Sequence, residues 1–174
     1  MIMEKNILAV DPGISGGFAW RDSENQIHSC AMPETEGDVL NLLRSIRAEG
    51  IETLFIEDQI GCVGPGMRVA ATAMFTFGRG FGFILGAAQA LGFRIQAVRP
   101  QKWQKHFSLG TKKDAGGTTP WKNKLKGVAQ RLFPNADVTL KTADALLLLE
   151  YAGAWTHDSA VLADYIKRTD GGNA

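Results

Sequence analysis

At three places in this sequence an acid stands where it is costly. Asp11 closes the apolar run "ILAV" at 7–10 and is followed by Pro12 and Gly13. Glu57 and Asp58 close "LFI" at 54–56. Asp144 lies just inside the start of "TADALLLLEYAGAW", 142–155, a segment so apolar that a helix made of it must be buried nearly all round. Carboxylates gathered from distant sequence repel one another, and burial raises the cost. A divalent cation relieves it, and oxygen donors without His or Cys favour Mg²⁺ or Mn²⁺. Two such ions, about 3.5–4 Å apart, activate a water and stabilise the leaving oxygen in phosphodiester cleavage. Each acid also has a plainer use. Asp11 before Pro-Gly suits an ordinary turn, and Asp144 suits the dipole at a helix start.

The elements that must position these acids follow from periodicity and punctuation. Residues 6–11 read as a buried strand, and 17–32 as a hairpin about "RDSENQ". A loop at 33–38 precedes a helix with apolar residues at 39, 42, 43 and 46, stopped by Gly50. A strand over "IETLFIED", a loop over "IGCVGPG" and a long glycine-laden helix over 67–91 come next. "FRIQAV" at 93–98 is a strand, "RPQKWQKHF" a short helix, "SLGTKKDAGGTTP" a mobile basic loop and 121–133 a helix. Helices over 142–155 and 158–168 close the chain, with a flexible tail at 169–174. Strands separated by helices imply an α/β fold, a mixed sheet covered on both faces. Parallel neighbours in such a sheet end on one edge, where ligand sites gather. Alternation sends Glu57 and Asp58 to opposite faces, so only one of them can serve.

With 174 residues, 45% hydrophobic, the chain suits one domain over 1–174. No apolar run reaches the roughly 20 residues of a membrane helix, and no signal peptide is visible. Cys30 and Cys62 lack CxxC spacing, which reads as a reduced, cytoplasmic protein without disulfide or zinc. Net charge is +1, but it is unevenly spread. Residues 1–60 carry 4 Lys/Arg against 11 Asp/Glu, whereas residues 94–126 carry 9 Lys/Arg against Asp114 alone. That basic block suits a polyanionic partner, with a solvated lysine-rich surface as the alternative. Gly78, Gly82 and Gly86 line one face of the long helix and admit close approach of another backbone: a strand of this chain, a twin helix across a dimer axis, or DNA.

Four segments, "ILAVDPGISGGFAW", "LFIEDQIG", "VRPQKWQKHFSLG" and "TADALLLLEYA", resemble in order and spacing the RuvC-like Holliday junction resolvases. "FTFGRGFGF" and "WQKHF" are similar to elements of the phage-type and monokaryotic-chloroplast members. The resemblance covers roughly residues 5–155. It implies a ribonuclease H-like mixed five-stranded sheet flanked by helices, and a Mg²⁺- or Mn²⁺-dependent endonuclease that nicks Holliday junctions as a homodimer. Asp11, Glu57 (rather than Asp58) and Asp144 match the family's metal ligands, and Lys122 its lysine beside the scissile phosphate. Branched DNA would then meet Phe75, Arg79, Arg99, Lys102, Lys105, Lys112, Lys113 and Lys124, within and around a DNA-contacting segment at 98–120. Phe75 and Phe77 suit a stacking wedge or the core, and Trp103 a base or the core. The family has a further acid or His shortly before its last aspartate; here Lys141 stands three residues earlier and Asp137 is the nearest upstream acid. Either Asp137 swings in, or Lys141 replaces one ion's charge, or the site is altered and the protein only binds junctions. Sugar-kinase and actin-like nucleotide-binding domains also open on a strand and Asp-x-Gly, but need a second domain of comparable size.

Overall fold

The computed structural model describes residues 6–58 and 70–157. The loop expected at 60–66 with Cys62, the first residues of the long helix at 67–69, the helix at 158–168 and the tail at 169–174 lie outside the described residues. The chain runs β1 (Ile7–Asp11), β2 (Gly17–Arg21), β3 (Ile27–Ala31), α1 (Glu36–Ala48), β4 (Thr53–Glu57), α2 (Ala71–Ala90), β5 (Arg94–Val98), α3 (Pro100–His106), α4 (Thr118–Leu132) and α5 (Ala143–His157).

The five strands form one mixed sheet in the order β3-β2-β1-β4-β5. β1, β2 and β3 are antiparallel neighbours, while β1–β4 and β4–β5 are parallel. Alternation divides the strand residues between two cores. Leu8, Val10, Leu54 and Ile56 pack with Val39, Leu43 and Ile46 of α1 and with Ile84 and Ala88 of α2. Ile7, Ala9 and Phe55 face the other way, onto Trp103 of α3, Trp121 and Leu125 of α4, and the leucines of α5. The parity that sends Ile7 and Ala9 to the α5 side sends Asp11 there as well, and Phe55 does the same for Glu57.

Three helix starts differ from the sequence reading. α2, expected from 67, begins at Ala71 after a non-helical Ala70 (ψ 137°). α1 begins at Glu36, three residues before its first buried position, because Thr35 caps it: the Asp38 N–H donates to Thr35 Oγ1 at 3.1 Å, with Glu36 and Asp38 favourably placed in the first turn. α4 takes in Thr118 to Pro120, so the basic loop is shorter than expected. That loop is also tied down. The N–H and hydroxyl of Thr111 both donate to Asp114 Oδ2, at 2.9 and 2.6 Å. Among the described residues no helix is long and apolar enough to cross a membrane.

Candidate active site

β1 and β4 end side by side. Their register pairs Val10 with Ile56, so Asp11 and Glu57 follow one step later on adjacent parallel strands, about 4.8 Å apart by sheet geometry. α5 lies against β1 and β2 and brings Asp144 in from its first turn. Its entry is fixed by a reciprocal pair: the Thr139 N–H donates to Thr142 Oγ1 at 2.9 Å, and the Thr142 N–H donates to Thr139 Oγ1 at 3.2 Å. The three acids are 7, 7 and 6% exposed, and among the described residues no other carboxylate is buried.

Each carboxylate is held by a different donor. The Gly13 N–H donates to Asp11 Oδ1 at 3.3 Å. The Trp103 indole Nε1–H donates to Glu57 Oε2 at 2.9 Å from within the core. Lys122 Nζ of α4 forms an ion pair with Asp144 Oδ2, while Asp144 Oδ1 is buried without a hydrogen-bond partner. Gly16 closes the cradle: a Cβ there would strike the Asp11 carbonyl oxygen and approach Asp11 Cγ to 2.6 Å and Oδ2 to 2.8 Å. Only a residue without a side chain fits behind this carboxylate.

The electrostatics are those of an acid cluster short of cations. Burial, then the charge of Asp144, raises Asp11 to about 6 against the opposing pull of Lys122 and the Gly13 N–H. Burial, then the charges of Asp11 and Asp144, raises Glu57 to about 8, opposed by the Trp103 hydrogen bond and Lys122. Burial works to lower Lys122, but the charge and hydrogen bond of Asp144, with Asp11 and Glu57 behind them, hold its ammonium above the usual lysine value. The pair with Asp144 is therefore shared: one ammonium balances three acids.

The donor set fits a hard divalent cation. It is all oxygen, one buried oxygen has no partner, and two carboxyls are driven toward protonation by burial and by one another's charge. Among the described residues, however, no group of three or more His, Cys, Asp and Glu side chains is arranged as a ready-made metal site. Lys122 occupies Asp144 Oδ2 and leaves Oδ1 open.

A cavity of about 1140 Å³ opens from Asp11 between the β1–β2 turn and α2, and both Lys122 and Lys141 line it. Lys141 thus borders the site where an acid or histidine was expected. Asp137 stays exposed in the turn after α4, its carbonyl accepting from Ser29 and Thr142. Arg99, Lys102, Lys105, Lys112 and Lys113 are all exposed, along the start of α3 and the loop after it. Two other basic residues have partners within the chain. Lys124 Nζ donates to the Leu109 carbonyl at 2.7 Å, and Arg79 pairs with Glu36 at 2.9 Å beside the cavity. Phe75 is 72% exposed on α2, which removes the core-filling reading for it; Phe77 is half-buried, stacked on Phe81 and lining the cavity. Trp103 is fully buried, so it is no base-stacking platform. A Cβ at Gly78, Gly82 or Gly86 would meet nothing within 4 Å, so no strand of the described chain uses that glycine face. Trp103 is the residue whose bearing on the acids the sequence concealed; its placement beside "RPQK" suggested only a basic helix with an aromatic anchor.

The raised acids make a stability prediction. Between roughly pH 4 and 8 the unfolded chain has shed protons that folded Asp11 and Glu57 still hold, so the folded state binds more protons and its stability falls as pH rises. A carboxyl moved from 3.8 to about 6 corresponds to a loss on the order of 3 kcal/mol across its window. Asp22 and Asp114, whose carboxyls are held below the ordinary value, titrate under that range. In EDTA, urea midpoints are expected to drop from pH 5 to pH 8, and Glu57→Gln to flatten the slope. A midpoint rising with pH in the unsubstituted protein would contradict the burial described here.

No protein-family model matches this chain, and no curated protein does. Solved structures do. Thermus thermophilus RuvC in complex with a Holliday junction substrate superposes with a TM-score of 0.57 at 14% identity, covering 88% of this chain and 96% of that one. A second Thermus thermophilus RuvC structure gives 0.51 at 19% identity, covering 84% and 93%. The likeness is one of fold: this chain carries the mixed five-stranded, helix-flanked ribonuclease H-like architecture of RuvC.

Proposed function

We propose that this chain is a structure-selective DNA endonuclease that resolves four-way (Holliday) junctions by divalent-metal-dependent phosphodiester hydrolysis. The observation that carries the reading is the meeting of Asp11, Glu57 and Asp144, buried and undercharged with cation, at the carboxyl edge of β1 and β4. The exposed basic run from Arg99 to Lys113 supports a DNA partner, and the fold shared with a RuvC structure solved with a junction supports a branched one.

Asp11, Glu57 and Asp144 would hold Mg²⁺ or Mn²⁺, which when bound would supply the Lewis acidity for water activation and phosphate neutralisation. Gly13 and Gly16 fix the Asp11 carboxylate, and the sheet edge fixes its distance from Glu57. Lys122 leaves Asp144 for the scissile phosphate, so its charge stays within the site. Arg99, Lys102, Lys105, Lys112 and Lys113 grip backbone phosphates, which gives affinity without sequence choice. Phe75, exposed on α2, stacks on an unpaired base at the junction centre. Two opposed nicks need two sites, so the working form is a homodimer.

The test compares a labelled four-way junction with linear duplex of the same sequence, in Mg²⁺, Mn²⁺ or EDTA. Paired nicks in the junction alone are expected, only with metal, and sealable by ligase because they carry 5′-phosphate and 3′-hydroxyl ends. No cleavage of the junction in either metal would overturn the reading. One observation favours a second reading, a junction-binding protein without catalysis: Lys122 already neutralises Asp144. Tight binding without nicking in the same assay selects it.

A further inference from the structure

Glu57 is the acid with the most freedom to lose. It has one more methylene, and so one more rotatable bond, than Asp11 or Asp144, and it stands at the last residue of β4. Its carboxylate is met at 2.9 Å by the indole N–H of Trp103, a residue that is itself fully buried. The ring cannot drift. It is packed in the core beneath α5, edge-on to Phe107 at 6.5 Å between centroids, and its short helix is started by Pro100. Core filling alone explains a large apolar residue here. It does not explain an indole, whose buried N–H demands an acceptor that Leu or Phe would not need. Nor does it explain why that acceptor is one of the three acids.

We infer that Trp103 is a positioning residue: its buried N–H fixes the plane of the Glu57 carboxylate toward Asp11 and Asp144, from the inner side of the helix whose outer side carries Lys102 and Lys105. This rests on the endonuclease reading above and goes beyond it by assigning a role to a residue that touches neither DNA nor the reacting atoms. Partners that orient a metal-binding side chain usually matter by about 10–100-fold in metal affinity or rate.

The experiment measures Mn²⁺ uptake by the junction-free protein, from the loss of the free-ion EPR signal, beside single-turnover nicking at fixed Mn²⁺. Trp103→Phe removes the N–H. Replacing Trp103 with β-(3-benzothienyl)alanine, which puts sulfur where the N–H was, does so with the ring shape kept, and decides the matter if the phenylalanine variant folds poorly. Both are expected to need about 10-fold more Mn²⁺ for half-saturation and to nick correspondingly more slowly, with junction Kd unchanged. Wild-type Mn²⁺ affinity in the isosteric variant overturns the inference. If the unsubstituted protein itself takes up no Mn²⁺ in an Asp11-dependent manner, the endonuclease reading falls and this assignment falls with it.

Discussion

Asp11→Asn is expected to bind a four-way junction within a few-fold of the unsubstituted protein and to nick it roughly 10³-fold more slowly, about 4 kcal/mol of barrier. Asparagine keeps the shape of the side chain and an oxygen for the Gly13 N–H, so the turn after β1 is preserved. What it removes is the charge at the centre of the three acids. The same substitution should stabilise the metal-free protein. The wild-type carboxyl is raised to about 6 by burial and by Asp144, so near neutrality it is held ionised at a cost that the amide does not incur. A higher thermal midpoint at pH 8 in EDTA, together with lost nicking and retained gel-shift affinity, is the expected signature. Stability gained where function is lost marks an acid kept for chemistry rather than for folding. Nicking at the wild-type rate would remove Asp11 from the mechanism.

Gly16→Ala is expected to damage both stability and rate, for a steric reason. The new methyl would collide with the Asp11 backbone and carboxylate. The loop cannot retreat, because the Gly16 N–H donates to the Gly13 carbonyl at 2.8 Å and its own carbonyl accepts from Met32 at 2.9 Å. Overpacking of this kind costs about 3 kcal/mol, and an ångström of misplacement at the carboxylate costs about 10²-fold in rate. Gly13→Ala is the control. Its Cβ would come no nearer than 3.6 Å, to Asp11 Oδ1, an ordinary contact. Urea unfolding and junction nicking of the two variants should therefore separate sharply. Equal behaviour would mean that the cradle around Asp11 is looser than described.

Much of the architecture was legible in the sequence because it is local. Apolar runs broken by turn residues located β1, β4 and β5, and the unbroken apolarity of "ALLLL" required α5 to be buried. Alternation is strict, so it settled that Glu57 and Asp58 cannot share a face, and β4 buries Glu57 beside Phe55 and leaves Asp58 half-exposed. Helix starts were less legible. The hydroxyl of Thr35 sets the start of α1, and α4 starts after Gly117, whose φ of 121° suits glycine; apolar spacing registers neither.

The amino-acid sequence by itself determined which residue types could do chemistry and, through strand parity, that Glu57 and Asp58 face opposite ways. Only the tertiary structure decided the partners: Lys122 on Asp144, Trp103 on Glu57, Gly16 behind Asp11, Lys124 on the Leu109 carbonyl, and Phe75 left in water. The physical reason is one of range. Periodicity is a property of a residue and its near neighbours along the chain. A hydrogen bond between side chains 46 positions apart depends instead on how α3, α5 and the sheet pack together, and on which rotamers that packing leaves open.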